Sequence, residues 1–320
     1  MNQIEKSIPA TMDFYKARLK KKESVFYKYK KHKDLLLLFL PGFIIMLIFK
    51  YAPIGGLAIA FKDYRAVIGI WESQWVGMEH FTRLFTGSEF IKVVRNTLTI
   101  SVLKLVIGFP MPIILALLLN EVRNQRFKKL VQTLSYLPYF FSWVVLSGIV
   151  TMVFSTRGAV NTLLTYFGSQ RPVEFFASGW LFILLLIITS IWQSSGWSAV
   201  IYIATITGID EALYEAAKID GAGRWRRMIS ITVPCLIPTI ITVFILNLGS
   251  IMNAGFDQIY NLYNPAVYEV SDILDTYVLR VMQSMDYSMA TAAGLFKSVV
   301  ALVLVLLSNK IANHFGHGIW

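Results

Sequence analysis

The stretch GIDEALYEAAKIDGAGRWRRMISITVP, residues 208–234, separates two long apolar runs; it is too polar to cross a bilayer and too regular in pattern to be a mere linker. It reads as helix, turn, helix. Asp210 can cap the first helix, because its carboxylate accepts a bond from an unpaired first-turn amide. Glu211 then lies near the positive helix end. Ala212, Ala216 and Ile219 share one face at i, i+4 and i+7, with Leu213 and Ala217 beside them. Gly221 suits the left-handed position that ends a helix. Arg224, Arg226 and Arg227 follow, and Pro234 opens the next apolar run, where a missing amide costs least. The result is a short helix with a small, alanine-lined apolar face rimmed by Glu215 and Asp220. Such a face lets a groove of a partner protein approach the backbone closely. Packing against the chain's own spans, or lying on the lipid surface, are the alternatives.

On either side the chain is strongly apolar: 56% of its 320 residues are hydrophobic and only 15% charged, a balance of membrane-embedded chains. A helix needs roughly 20 mainly apolar residues to cross a bilayer. Six stretches qualify, near 35–61, 95–119, 129–154, 178–206, 234–256 and 288–312. The expected architecture is an all-α integral membrane protein with six transmembrane helices. Residues 34–320 form one transmembrane domain behind a basic segment, 1–33. The net charge of +11 does not point to nucleic acid, because ten of the 30 Lys and Arg residues crowd into residues 1–33, ahead of the first apolar run.

With the N-terminus inside, the inner segments hold nineteen Lys and Arg residues and the outer segments seven, which places both termini in the cytoplasm. The polar start of the chain, with no small-residue cleavage site after its first apolar run, argues that the first span is retained. One cysteine, Cys235, excludes an internal disulfide, and nothing suggests a metal site. Pro110, Pro112, Pro138 and Pro238 fall inside spans, where they kink helices for packing or to line a pathway. The basic N-terminal run, interleaved with Phe14, Tyr15, Phe26, Tyr27 and Tyr29, suits an anionic lipid surface or simple positive-inside anchoring.

Glu215-Ala216-Ala217, then Gly221, then Ile231-Thr232-Val233-Pro234 resembles the EAA loop of type I ABC importer permeases, with Val233 where that family usually has Leu. Residues 50–55 (KYAPIG), 109–121 (FPMPIILALLLNE) and 255–265 (GFDQIYNLYNP) resemble its carbohydrate-uptake branch, the MalF-like permeases of the LplB type associated with complex oligosaccharides. The resemblance implies that the loop is a cytoplasmic coupling helix docking in a separate ATPase, with Tyr214, Glu215, Ala216, Ala217, Asp220, Gly221, Ile231 and Pro234 as the coupling residues. It further implies a second homologous permease, two ATPase subunits that use ATP and Mg, an extracytoplasmic solute-binding protein and the bacterial inner membrane. The chain has no Gly-x-x-x-x-Gly-Lys-Ser/Thr stretch, so hydrolysis falls to another protein and this subunit is not an enzyme.

For the solute, polar residues inside spans are the candidates, since they are costly against lipid. Asn247, Ser250 and Asn253 recur at steps of three along one side of the fifth span and could bind sugar hydroxyls, or join packed helices. Trp192, Gln193 and Trp197 offer indole faces and an amide to a pyranose, with close helix contact at Gly196 as the alternative. Lys104 and Lys297, each about nine residues into its span, present positive charge suited to acidic sugars such as uronate oligosaccharides. Snorkelling, or pairing with an acid such as Asp257 or Asp286, would explain them equally. A secondary transporter or channel working without an ATPase is the rival function. It calls for carboxylates near a midplane, and Asp257 and Asp286 fall at outer ends. An intramembrane enzyme would need a motif such as His-Glu-x-x-His or Gly-x-Ser-x-Gly, and the sequence has neither.

Overall fold

The computed structural model describes residues 33–314 and Gly318, so the basic segment with its aromatic residues lies outside the described part. Two compact units divide between Leu57 and Ala58. In the first, Lys33–Met46 is α-helical and Leu47–Tyr51 forms a wider π turn. None of these side chains is buried, as suits a helix that is apolar on all sides. The chain then tightens into a 3-10 helix, Ala52–Phe61, around the Gly55-Gly56 pair.

The helices long and apolar enough to cross a membrane number six among the described residues: Lys33–Phe61, Ser88–Glu121, Trp143–Tyr166, Gly179–Thr207, Arg224–Gly249 and Tyr287–His314. Three prolines shape them in the same way. The π turns Leu47–Tyr51, Lys104–Gly108 and Met228–Thr232 each end two residues before a proline, Pro53, Pro110 and Pro234. A proline ring collides with the carbonyl four residues back, and widening that turn relieves the collision without ending the helix. The fifth span therefore starts at Arg224 and passes through Pro234, ten residues earlier than the apolar run suggests.

The third span lies further along the chain than the sequence indicates, at Trp143–Tyr166 rather than 129–154. Residues 125–136 form a separate amphipathic helix capped by Asn124, whose Oδ1 accepts from the amides of Arg126 and Phe127 at 3.0 and 3.2 Å. A 3-10 turn, Leu137–Phe140, contains Pro138, and the membrane-length helix begins only at Trp143. Helix 125–136 lies against the fourth span at Gly196, where a Cβ would collide with the Ser135 carbonyl oxygen.

The fourth span, Gly179–Thr207, is the most buried of the six. Its Phe182, Leu185 and Leu186 pack with Ile100, Val150, Ile259 and Ile273, and its Ala199, Tyr202 and Ile206 pack with Ala116 and Leu236. A third core gathers Phe81, Leu84, Phe90, Leu274 and Met289. Between the fifth and sixth spans, residues 250–286 fold into short helices fastened to the start of the second span. Asn96 donates to the carbonyls of Glu269 and Asp272, Thr97 accepts from the amide of Leu274, and Arg280 bridges Asp272 and Glu89.

Candidate functional site: a polar cavity and an exposed loop helix

The loop helix spans Glu211–Ile219. Asp210 caps it, its Oδ1 accepting from the Ala212 amide at 3.0 Å. At the other end Gly221 adopts φ +73°, the Ala222 amide bonds the Ala217 carbonyl at 2.8 Å and the Gly221 amide bonds that of Lys218 at 3.1 Å. That pair of bonds is the Schellman arrangement, which needs a residue tolerant of positive φ. Tyr214 turns inward, its hydroxyl sharing a 2.9 Å hydrogen bond with Thr232 Oγ1, and Thr232 is buried at the end of the π turn within the fifth span. This bond links the loop helix to that span. The opposite face, with Ala212, Leu213, Glu215, Ala216 and Ile219, is exposed. Among the described residues this face is not packed on the spans. Ile231 is half-buried and Pro234 exposed, both in the base that carries the helix.

A cavity of about 270 Å³ lies among the second, fourth and fifth spans and residues 250–255. Lys104, Asn247 and Ser250 line it; Trp192, Gln193, Trp197, Asn253 and Lys297 do not. The helix of the fifth span stops at Gly249, so Asn247, Ser250 and Asn253 do not continue along one helix face. Ser250 sits on the cap and Asn253 closes a 3-10 turn. Trp197 stacks on Tyr139 at 5.2 Å between centroids and meets Phe140 edge-on, so one indole face is already taken by the turn before the third span.

Lys104 stands midway along the 34-residue helix Ser88–Glu121, whose first turns are polar and precede the apolar run. Its Nζ donates to the Ala254 carbonyl at 2.8 Å and to Gln258 Oε1 at 2.5 Å. Ala254 and Gly255 both have positive φ, 48° and 85°, which swings the Ala254 carbonyl toward the lysine. At Gly255 a Cβ would come within 2.6 Å of Nζ. Gln258 passes the connection on, its Nε2 donating to the Leu186 carbonyl and to Thr189 Oγ1. Lys297 is differently employed: it donates to both oxygens of Asp275, which is neither of the acids suggested by spacing.

Several cavity residues escape a reading by composition. Ser190, Ser194 and Ser198 line it from the fourth span. Their i, i+4, i+8 spacing was a visible signal, one face of a helix. Ser101 and Tyr202 of the lining, and Gln258 that holds Lys104 from outside it, carried no such signal, since their neighbours come from distant segments.

Residues 108–320 match the family described as binding-protein-dependent transport system inner membrane component. The polygalacturonan/rhamnogalacturonan transport system permease protein YteP of Bacillus subtilis is 43% identical over 318 residues, 99% of this chain and 98% of that one. Protein LplB of Bacillus subtilis is 42% identical over 288 residues, 89% of this chain and 90% of its own length. Among solved structures, a chain of a bacterial ABC transporter involved in the import of the acidic polysaccharide alginate superposes with a TM-score of 0.83 and 41% identity, covering 91% of this chain and 98% of that chain.

Proposed function

The chain belongs to the family of binding-protein-dependent transport system inner membrane components, and from that premise we propose that it is the permease of an importer for acidic oligosaccharides. It is a multi-pass membrane protein and a non-catalytic permease subunit of an ABC transporter. Relatives named for polygalacturonan and for alginate support the substrate class. A second homologous permease completes the pathway, and two ATPase subunits using ATP and Mg supply the work. Both termini face the cytoplasm of a bacterial inner membrane, and residues 1–33 anchor the transmembrane domain 34–320 at its inner surface.

The observation that carries the coupling reading is the exposed alanine face of Glu211–Ile219, fixed at both ends and bonded through Tyr214 to the fifth span. A short helix with small outward residues fits a partner's cleft. ATP-driven closure of the ATPases moves two such helices, the spans reorient, and solute delivered by the binding protein passes inward. On the solute side, Asn247 and Ser250 offer hydroxyl partners within the cavity, and Trp192, Gln193 and Asn253 adjoin its lining residues along the chain.

The test is substrate-stimulated ATP hydrolysis by the reconstituted complex, comparing the unaltered chain with Gly221→Asp and Glu215→Arg variants that still assemble. Loss of stimulation in both supports the coupling role. Unchanged stimulation in both removes the coupling role from this helix and leaves the family assignment standing.

A further inference from the structure

We propose that Lys104 is the residue by which the cavity selects an acidic sugar, its ammonium group receiving the carboxylate of a uronate unit. This rests on the acidic-oligosaccharide reading above and assigns its selectivity to one side chain.

The argument begins with charge. None of the ion pairs among the described residues involves Lys104, whereas Lys297, the other candidate, is neutralised by Asp275. A cation within a membrane span is costly against lipid, and such groups face the protein interior or a cavity. Lys104 lines the cavity. Its two acceptors, a carbonyl and a side-chain amide, are neutral and use two of its three N–H groups. They aim Nζ and supply no opposite charge.

The second observation is Ser101. It lies three residues before Lys104 on the same helix and lines the same cavity, and its hydroxyl is buried without a hydrogen-bond partner. Buried hydroxyls are otherwise almost always satisfied. A cation with an unused donor and an unsatisfied hydroxyl one turn away form a matched pair for a carboxylate or for the hydroxyl beside it on a sugar ring. Gly255 is part of the device, since any side chain there would collide with Nζ.

The test uses the assembled complex in nanodiscs without binding protein, and saturation binding of trigalacturonate and of its carboxyl-reduced, neutral counterpart. In Lys104→Gln the affinity for trigalacturonate falls by about tenfold or more, the worth of a charge-assisted hydrogen bond, while binding of the neutral trisaccharide is unchanged. Lys104→Arg keeps the preference. Ser101→Asp, which neutralises the charge in place without touching the lysine's bonds, loses it. Equal weakening of both ligands in Lys104→Gln would mean that the lysine only braces the fold, and no change for either would equally overturn the proposal. In those two cases the unaltered complex still prefers the acidic ligand and the acidic-substrate reading stands. An unaltered complex that prefers the neutral trisaccharide, or binds neither, sinks that reading and this assignment with it.

Discussion

The Lys297 ammonium lies 2.6 and 2.8 Å from the two carboxylate oxygens of Asp275, tying the sixth span to the helix Leu274–Gln283. Both side chains are only about one-fifth exposed, at 21% and 22%. A pair so withdrawn from water is costly to break from one side, because the remaining charge is left without a partner. Asp275→Asn is expected to destabilise the protein by about 2 kcal/mol, less than a fully buried pair would lose. Replacing both residues, Lys297→Met with Asp275→Leu, should recover most of the loss in a thermal unfolding series on the detergent-solubilised complex. A double variant no more stable than Asp275→Asn alone would show that the pair is not the cause.

Gly196 is where the amphipathic helix 125–136 approaches the fourth span. A methyl group there would overlap the Ser135 carbonyl, and the obstacle is backbone that cannot rotate away. Overpacking of this kind costs about 1–3 kcal/mol or more. Gly196→Ala is expected at or above the upper figure, with a clear fall in melting temperature or failure to assemble. Gly148→Ala, where nothing lies within 4 Å, should be neutral or slightly stabilising. Equal behaviour of the two variants would contradict the contact.

Gly221 needs its backbone freedom but has open space around it, with φ +73° and no atom within 4 Å of the point where a methyl group would stand. Gly221→Ala should therefore cost about 1–2 kcal/mol from the left-handed conformation alone. Gly221→Asn, better suited to that region, should cost less. Coupled ATP hydrolysis should follow the same order: glycine, asparagine, alanine. Full coupling in the alanine variant would remove the Schellman turn from the mechanism.

Arg280 holds Asp272 through two bonds, at 2.7 and 3.2 Å, and reaches Glu89 at 2.7 Å. The hydrogen bonds it donates to Asp272 raise the guanidinium pKa further above its ordinary value. A raised folded pKa gives a contribution fully present below the unfolded pKa and lost only as pH climbs through the folded one, so this bridge should be insensitive to pH across the neutral range. Asp272 is buried, at 6% exposure. Removing its partner by Arg280→Ala should cost about 3 kcal/mol, and Arg280→Lys should restore only part, since an ammonium cannot reproduce the two-pronged contact. Thermal unfolding at pH 6 and pH 8 checks both points; a loss confined to one pH would argue against the bridge.

Much of this was legible along the chain. Asp210 as a cap and Gly221 as a left-handed stop were readable because capping depends on one residue type at one backbone position. The six spans were readable because a bilayer demands a long apolar run regardless of tertiary context. Their limits were less so. The fifth span extends back to Arg224, and the third begins only at Trp143, because π turns and a proline-bearing break move helix ends without changing hydropathy.

What the sequence determined by itself was therefore local and periodic: helix content, membrane lengths, and the loop with its caps and small-residue face. Tertiary structure alone decided which lysine meets an acid and which meets only neutral acceptors, since Asp275 and Lys297 are 22 positions apart while Lys104 meets Ala254 and Gln258 across 150 and 154. It also assembled the cavity from serines and one asparagine on three spans. The physical reason is that a buried charge is governed by whatever acceptors lie within about 3 Å of it. Those acceptors are brought there by packing, which a linear pattern of polar and apolar residues does not encode.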